Sequence, residues 1–92
     1  MSIEARLNDL ELRVFDWIRL AGWSGKTTDE CEAELGLTHQ CCSARVSELW
    51  HKYRLIEPRG ARRKTRAGRM AVIYVEAGLM AAHDRQQGDD VA

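Results

Sequence analysis

Apolar residues recur at spacings of three and four through the first quarter of the chain: Ile3, Leu7, Leu10, Val14, Trp17, Ile18 and Ala21. At ~100° per residue they fall in one stripe, which predicts a first helix. Phe15 flanks that stripe, while Leu12 and Leu20 lie off it and leave apolar surface beyond one core-facing side. Gly22 is placed to stop the helix, and Gly25 reads as a loose linker. Thr28, followed by Asp29 and Glu30, has the chemistry of an N-cap with acids in the first turn. It opens a short helix carrying Cys31 and Leu35, which Gly36 ends in a left-handed conformation. Thr38 then caps a third helix, whose stripe is Cys42, Val46, Leu49 and Tyr53 at i, i+4, i+7 and i+11. Its other face presents Gln40, Ser43, Ala44, Ser47 and His51, flanked by His39 and Arg45.

The period then changes. Leu55-Ile56-Glu57 reads as a strand, with Pro58 giving it an edge or irregular character. Met70 to Val75 is a second β-favouring run. Together they make a hairpin around a basic stretch. Its turn falls at Arg59-Gly60-Ala61 or at Arg66 to Arg69, and the second is favoured, with Arg62 to Thr65 extending the first strand. Ala77 to His83 suggests a last short helix. One domain over residues 1–82 is expected, with residues 83–92 a flexible tail.

Charge sharpens this picture. The 92 residues carry no formal net charge, yet the charge is segregated. Residues 1–36 hold four basic and eight acidic side chains, and residues 37–76 hold nine and three. From Arg59 to Arg69 there are six basic residues and no acid. Local field rather than net charge steers a polyanion, so this segment is a candidate contact for one. The plainer reading is a solvated hairpin kept from aggregating by its charge.

Other chemistry finds little support in the sequence. Cys31, Cys41 and Cys42 are odd in number, and two are adjacent, which does not make a disulfide framework. With no visible export signal, a reducing cytoplasm is expected. Zinc spacing templates fail for His39, Cys41 and Cys42 with a distant Cys31, so buried thiols and no metal or cofactor are expected. Lys26-Thr27-Thr28 resembles a phosphate loop superficially, but position 20 is Leu20 where that motif needs Gly. His39, His51 and His83 are scattered, and no enzyme is expected. Trp17, Trp23 and Trp50 read as core rather than a ligand cage. No apolar run approaches the ~18 residues of a membrane span.

Helix, helix, Gly turn, helix and basic hairpin is a specific order of parts. From Thr28-Asp29-Glu30 through Leu35-Gly36-Leu37-Thr38, Ser43 to Leu49, Leu55-Ile56 and Thr65 to Tyr74, the chain resembles the winged helix-turn-helix family of small phage and bacterial proteins. The resemblance implies an α+β, mostly helical fold of three helices and a two-stranded β wing. It also implies duplex DNA binding, with the third helix in the major groove. The positions it points to there are Thr38, His39, Gln40, Ser43, Ala44, Arg45 and Ser47. On the wing they are Arg62, Arg63, Lys64, Arg66 and Arg69, over the backbone or a narrow minor groove. Gln40 suits adenine, and Arg45 suits a phosphate or guanine. Thr38 serves equally as a cap, and Arg45 can pair with Glu48 one turn on. Many members place Gly before the Leu-Ile pair. Arg54 stands there instead, which suggests a different exit from the helix. A homodimer on paired half-sites is the expected assembly. The alternative is a protein-interaction module that keeps the fold without DNA.

Overall fold

A computed structural model describes the backbone of residues 6–91 and the side chains of residues 6–85. The first helix, α1, is Asp9–Leu20. It begins later than the apolar spacing suggests, because Asn8 and Glu11 form a reciprocal capping box. Asn8 Oδ1 accepts from the Glu11 amide at 2.8 Å, and Glu11 Oε1 accepts from the Asn8 amide at 3.0 Å. Leu7 therefore lies before the helix, though it is still buried, and Ile3 falls outside the described residues. Val14, Phe15 and Ile18 are the buried face, so Phe15 is central rather than flanking.

A short 3₁₀ turn, Gly22–Ser24, leads to Gly25. This glycine is buried and tightly enclosed, which corrects its reading as a loose linker. A Cβ there would lie 2.5 Å from the Tyr74 carbonyl oxygen and 2.6 Å from Ile73 Cγ2, at a φ of +63°. The close approach lets Lys26 pair with Tyr74 in both directions, N–H to carbonyl, at 2.9 and 2.8 Å. A single bridging residue thus ties the α1–α2 connection to the sheet.

The second helix, α2, is Thr28–Leu35. Its N-cap is Thr27 rather than Thr28. The buried Thr27 hydroxyl accepts from the Glu30 amide at 3.2 Å, and the Glu30 carboxylate accepts from the Thr27 amide at 2.8 Å. The capping box selects whichever Thr has Glu three residues on. Gly36 ends α2 in the left-handed conformation, at φ +68°. Thr38 caps α3, His39–Ser47, by accepting from the Cys41 amide at 3.1 Å. Helical winding then widens to a π turn over Glu48–Lys52, so the expected continuous helix to Tyr53 changes pitch near its end. Arg54 leaves that turn at φ +55°. The exit geometry is the left-handed one that Gly favours, adopted here by a residue with a Cβ, which corrects the expectation of a different exit.

Strand β1, Ile56–Lys64, pairs antiparallel with β2, Met70–Glu76. The turn lies at the second of the two places considered. Thr65 closes it, its amide donating to the Arg69 carbonyl at 2.7 Å. The register shifts between Pro58, opposite Tyr74, and Arg62, opposite Val72. A bulge there absorbs Pro58 and the positive φ of Gly60. The last helix, α4, is Leu79–Val91, and it extends beyond the Ala77–His83 segment that the sequence suggests. Glu57 Oε1 accepts from the Gly78 and Met80 amides at its start, each at 3.2 Å. His83 stacks on Trp23 with ring centroids 4.0 Å apart.

Between the three helices and the sheet root lies one core of Val14, Phe15, Ile18, Cys31, Cys42, Val46, Leu49 and Ile56, with Ile73 and Val75 buried on the sheet. Cys31 and Cys42 are buried free thiols joining α2 to α3, and burial pushes the Cys31 thiol far up. The architecture is α+β and mostly helical, with an open two-stranded wing, and its order is the general winged-helix topology. Among the described residues no helix is long and apolar enough to cross a membrane.

Candidate nucleic-acid interface

The exposed end of α3 and the wing carry the residues that the sequence singles out. Thr38, His39 and Gln40 are exposed at the start of α3, as is Ser47 at its end, while Ser43, Ala44 and Arg45 are half-buried. The Thr38 hydroxyl is engaged as the cap. His39 Nδ1 lies 3.0 Å from Glu32 Oε2 on α2. Arg45 Nη2 donates to Glu48 Oε1 at 2.8 Å, which is the one-turn pairing weighed against a DNA contact. Glu48 sits beside the buried Glu11. Its interaction with Glu11 and its pairing with the Arg45 guanidinium together hold its carboxyl below the usual range, against the cost of burial. The α3 face is therefore short, polar and electrically quiet.

The wing is sharply divided. Successive strand residues point to opposite faces, so Arg63 cannot share a surface with Arg62 and Lys64. Arg63 turns inward. Its guanidinium donates to the Ser24 carbonyl at 3.1 Å, the Gly25 carbonyl at 3.0 Å and Glu30 Oε1 at 2.8 Å. Burial would raise the Glu30 carboxyl, but Arg63 and the Thr27 amide outweigh it and hold it below its ordinary value. Arg66, at the turn, reaches back to α2. Its backbone amide donates to Asp29 Oδ2 at 3.1 Å, its Nε to Asp29 Oδ1 at 3.0 Å, and its Nη2 lies 2.9 Å from Oδ1. Glu32 Oε1 is 4.0 Å from the same nitrogen. Hydrogen bonds from Arg66 hold the Asp29 carboxyl low.

Arg62, Lys64 and Arg69 are exposed, and none makes a side-chain ion pair among the described residues. Of the five wing positions, the structure thus leaves three as free cations among the described residues and gives two to α2. Sequence reasoning missed Asp29, Glu30 and Glu32 as partners of the wing. Their signal was present as acids on a short helix preceding a basic hairpin, but contacts across more than thirty positions leave no periodic trace. It also missed Arg59, which donates to the Trp23 carbonyl at 2.7 Å and lies 5.3 Å from the Trp23 ring.

An open cleft of about 590 Å³ lies between the end of α1 and α2, lined by Trp17, Leu20, Lys26, Glu30, Glu34 and Arg63. Its charges are paired within it: Lys26 Nζ is 2.7 Å from Glu34, and Arg63 holds Glu30. Leu20 stands 83% exposed at its edge. The three tryptophans do not converge, since Trp17 meets Lys26, Trp23 meets His83 and Arg59, and Trp50 meets Arg54. Compared with family models, with curated proteins and with solved structures, the chain shows no match.

Proposed function

We propose that this chain binds duplex DNA as a small non-enzymatic regulator of phage or bacterial kind, acting in the cytoplasm. The start of α3, with His39 and Gln40 exposed, would enter the major groove. The exposed wing cations would lie on the backbone or the minor groove, Arg62 and Lys64 from one strand face and Arg69 from the turn. The observation that carries this reading is the trio of exposed wing cations without protein partners, set beside a helix-turn-helix in winged-helix order. Phosphate contacts position such a domain, and base contacts by short polar side chains specify modestly. Two copies on paired half-sites would supply the affinity that one small module lacks.

The test is fluorescence anisotropy on a labelled mixed-sequence duplex between ~50 and ~200 mM salt. Binding should fall steeply with salt. Replacing Arg62, Lys64 and Arg69 singly by Ala should each reduce the log–log salt slope by about 1. A folded protein that leaves the duplex free at ~50 mM salt would refute the reading.

A protein-interaction role has one observation in its favour. Leu20 is an exposed apolar knob beside a charge-neutral cleft, remote in chemistry from a phosphate site. Loss of a partner on Leu20→Glu, with duplex binding absent throughout, would favour it.

A further inference from the structure

We propose that Asp29 and Glu32 compete with phosphate for the wing tip and the recognition helix, and so limit how tightly the domain holds generic duplex. The inference rests on the duplex-binding reading and names a control built into the same site.

Asp29 and Glu32 stand three residues apart on α2 and share one helix face. That face lies between two groups the winged-helix order places toward DNA. On one side Arg66 reaches Asp29 at 2.9 to 3.1 Å, with Glu32 at 4.0 Å. On the other, His39 Nδ1 meets Glu32 Oε2 at 3.0 Å. Glu32 thus spans the wing turn and the start of α3. The carboxylates are the more sheltered partners, at 21% and 24% exposure, while Arg66 and His39 are open at 61% and 72%. Two carboxylates thus face one guanidinium on this side of α2. A phosphate approaching between wing tip and α3 meets donors already engaged and a field that repels it.

The contrast with Arg63 identifies which arginine can exchange partners. Arg63 is anchored by two main-chain carbonyls as well as Glu30, and those acceptors belong to the fold. The Arg66 side chain has carboxylate partners only. Exposed ion pairs of this kind are weak and screened by salt, so phosphate in the right geometry can displace them. Generic contacts are penalised, and a well-fitted site regains Arg66.

The experiment uses the full chain and a labelled random-sequence duplex. Asp29→Asn and Glu32→Gln, singly and together, are titrated by anisotropy between ~50 and ~200 mM salt, with melting curves to confirm folding. The double variant should bind on the order of tenfold tighter at ~50 mM salt, with a log–log slope steeper by about 0.9, the value for one added phosphate contact. Adding Arg66→Ala to the double variant should abolish that gain, while Arg66→Ala alone should leave the wild-type slope unchanged. Unchanged or weaker binding by folded variants, with the wild type binding, overturns the proposal and makes these carboxylates positioning groups. If neither wild type nor variants bind at ~50 mM, the duplex-binding reading fails and the proposal with it.

Discussion

Arg62 and Arg63 are neighbours of the same type on the same strand, yet they belong to different parts of the protein. Arg62 is exposed opposite Val72, and Arg63 closes the seam between the wing and the start of α2. The pleat of one strand divides them. A basic run in sequence is therefore two populations in space. Arg63 and Arg66 pair with acids of the protein itself, Arg59 holds the Trp23 carbonyl, and Arg62, Lys64 and Arg69 stand exposed. Counting cations in such a run overstates the charge available for binding.

The largest way to break this division is at Gly25. Its carbonyl accepts from Arg63, and its missing Cβ lets the backbone reach Tyr74. At φ +63° and ψ −171° the residue sits in a region essentially reserved for Gly. Gly25→Ala should push the connection off the sheet and release Arg63 as well. A loss of about 3 kcal/mol is expected, from backbone strain together with overpacking. In a domain of this size that lowers the melting temperature by roughly 15 °C, read by circular dichroism. A shift of only a degree or two would show that the wing is seated by other contacts.

Next comes the arginine pair itself. Arg63→Ala leaves two carbonyls and Glu30 without their donor, and should cost about 2 kcal/mol. Arg62→Ala removes nothing from the fold and should stay within about 0.5 kcal/mol. Acid titration sharpens the comparison. Glu30 has a lowered carboxyl in the folded state, so its contribution is present above the ordinary carboxylate value of about 4.3. It is lost as pH falls through the lower folded value. Wild type should therefore lose stability on acidification below about pH 4, and Arg63→Ala should lose less, having no such pair to break. Equal stabilities of the two Ala variants at pH 7 would contradict the division.

Local rules made most of the fold legible. The three helices, both Gly-assisted stops and the turn after Thr65 follow from spacing and from Gly and Thr chemistry within four residues, whereas the Asn8 cap that sets the start of α1 was not read. Where the reading slipped, two local rules competed. Thr27 and Thr28 are equal as caps until the reciprocal bond to Glu30 decides. Gly25 was misjudged because its constraint is Tyr74, far along the chain. The candidate site was legible as a list and not as an arrangement. Strand alternation lets only about half the wing cluster share a face. Which half was free depended on α2 carboxylates that nothing in the hairpin sequence reveals.

Arg54 tests the same distinction at the root of the wing, with the smallest effect. It is the one non-Gly residue at positive φ among the described residues, and its guanidinium lies 4.8 Å from the Trp50 ring. The left-handed conformation costs a residue with a Cβ roughly 1–2 kcal/mol. The stacking returns about 0.5–1 kcal/mol at an exposed position. Arg54→Ala keeps the strain and loses the stacking. Arg54→Gly loses the stacking and relieves the strain, but gives the unfolded chain more freedom, worth about 0.4–1 kcal/mol. Gly at this position should therefore be more stable than Ala by about 0.5–1 kcal/mol, while remaining close to wild type. Chemical denaturation of the three proteins checks the order. If Ala equals Gly, the turn relaxes away from positive φ once the guanidinium is gone. Arg54 would then hold the helix exit in place through Trp50, as Arg63 holds the wing through Glu30.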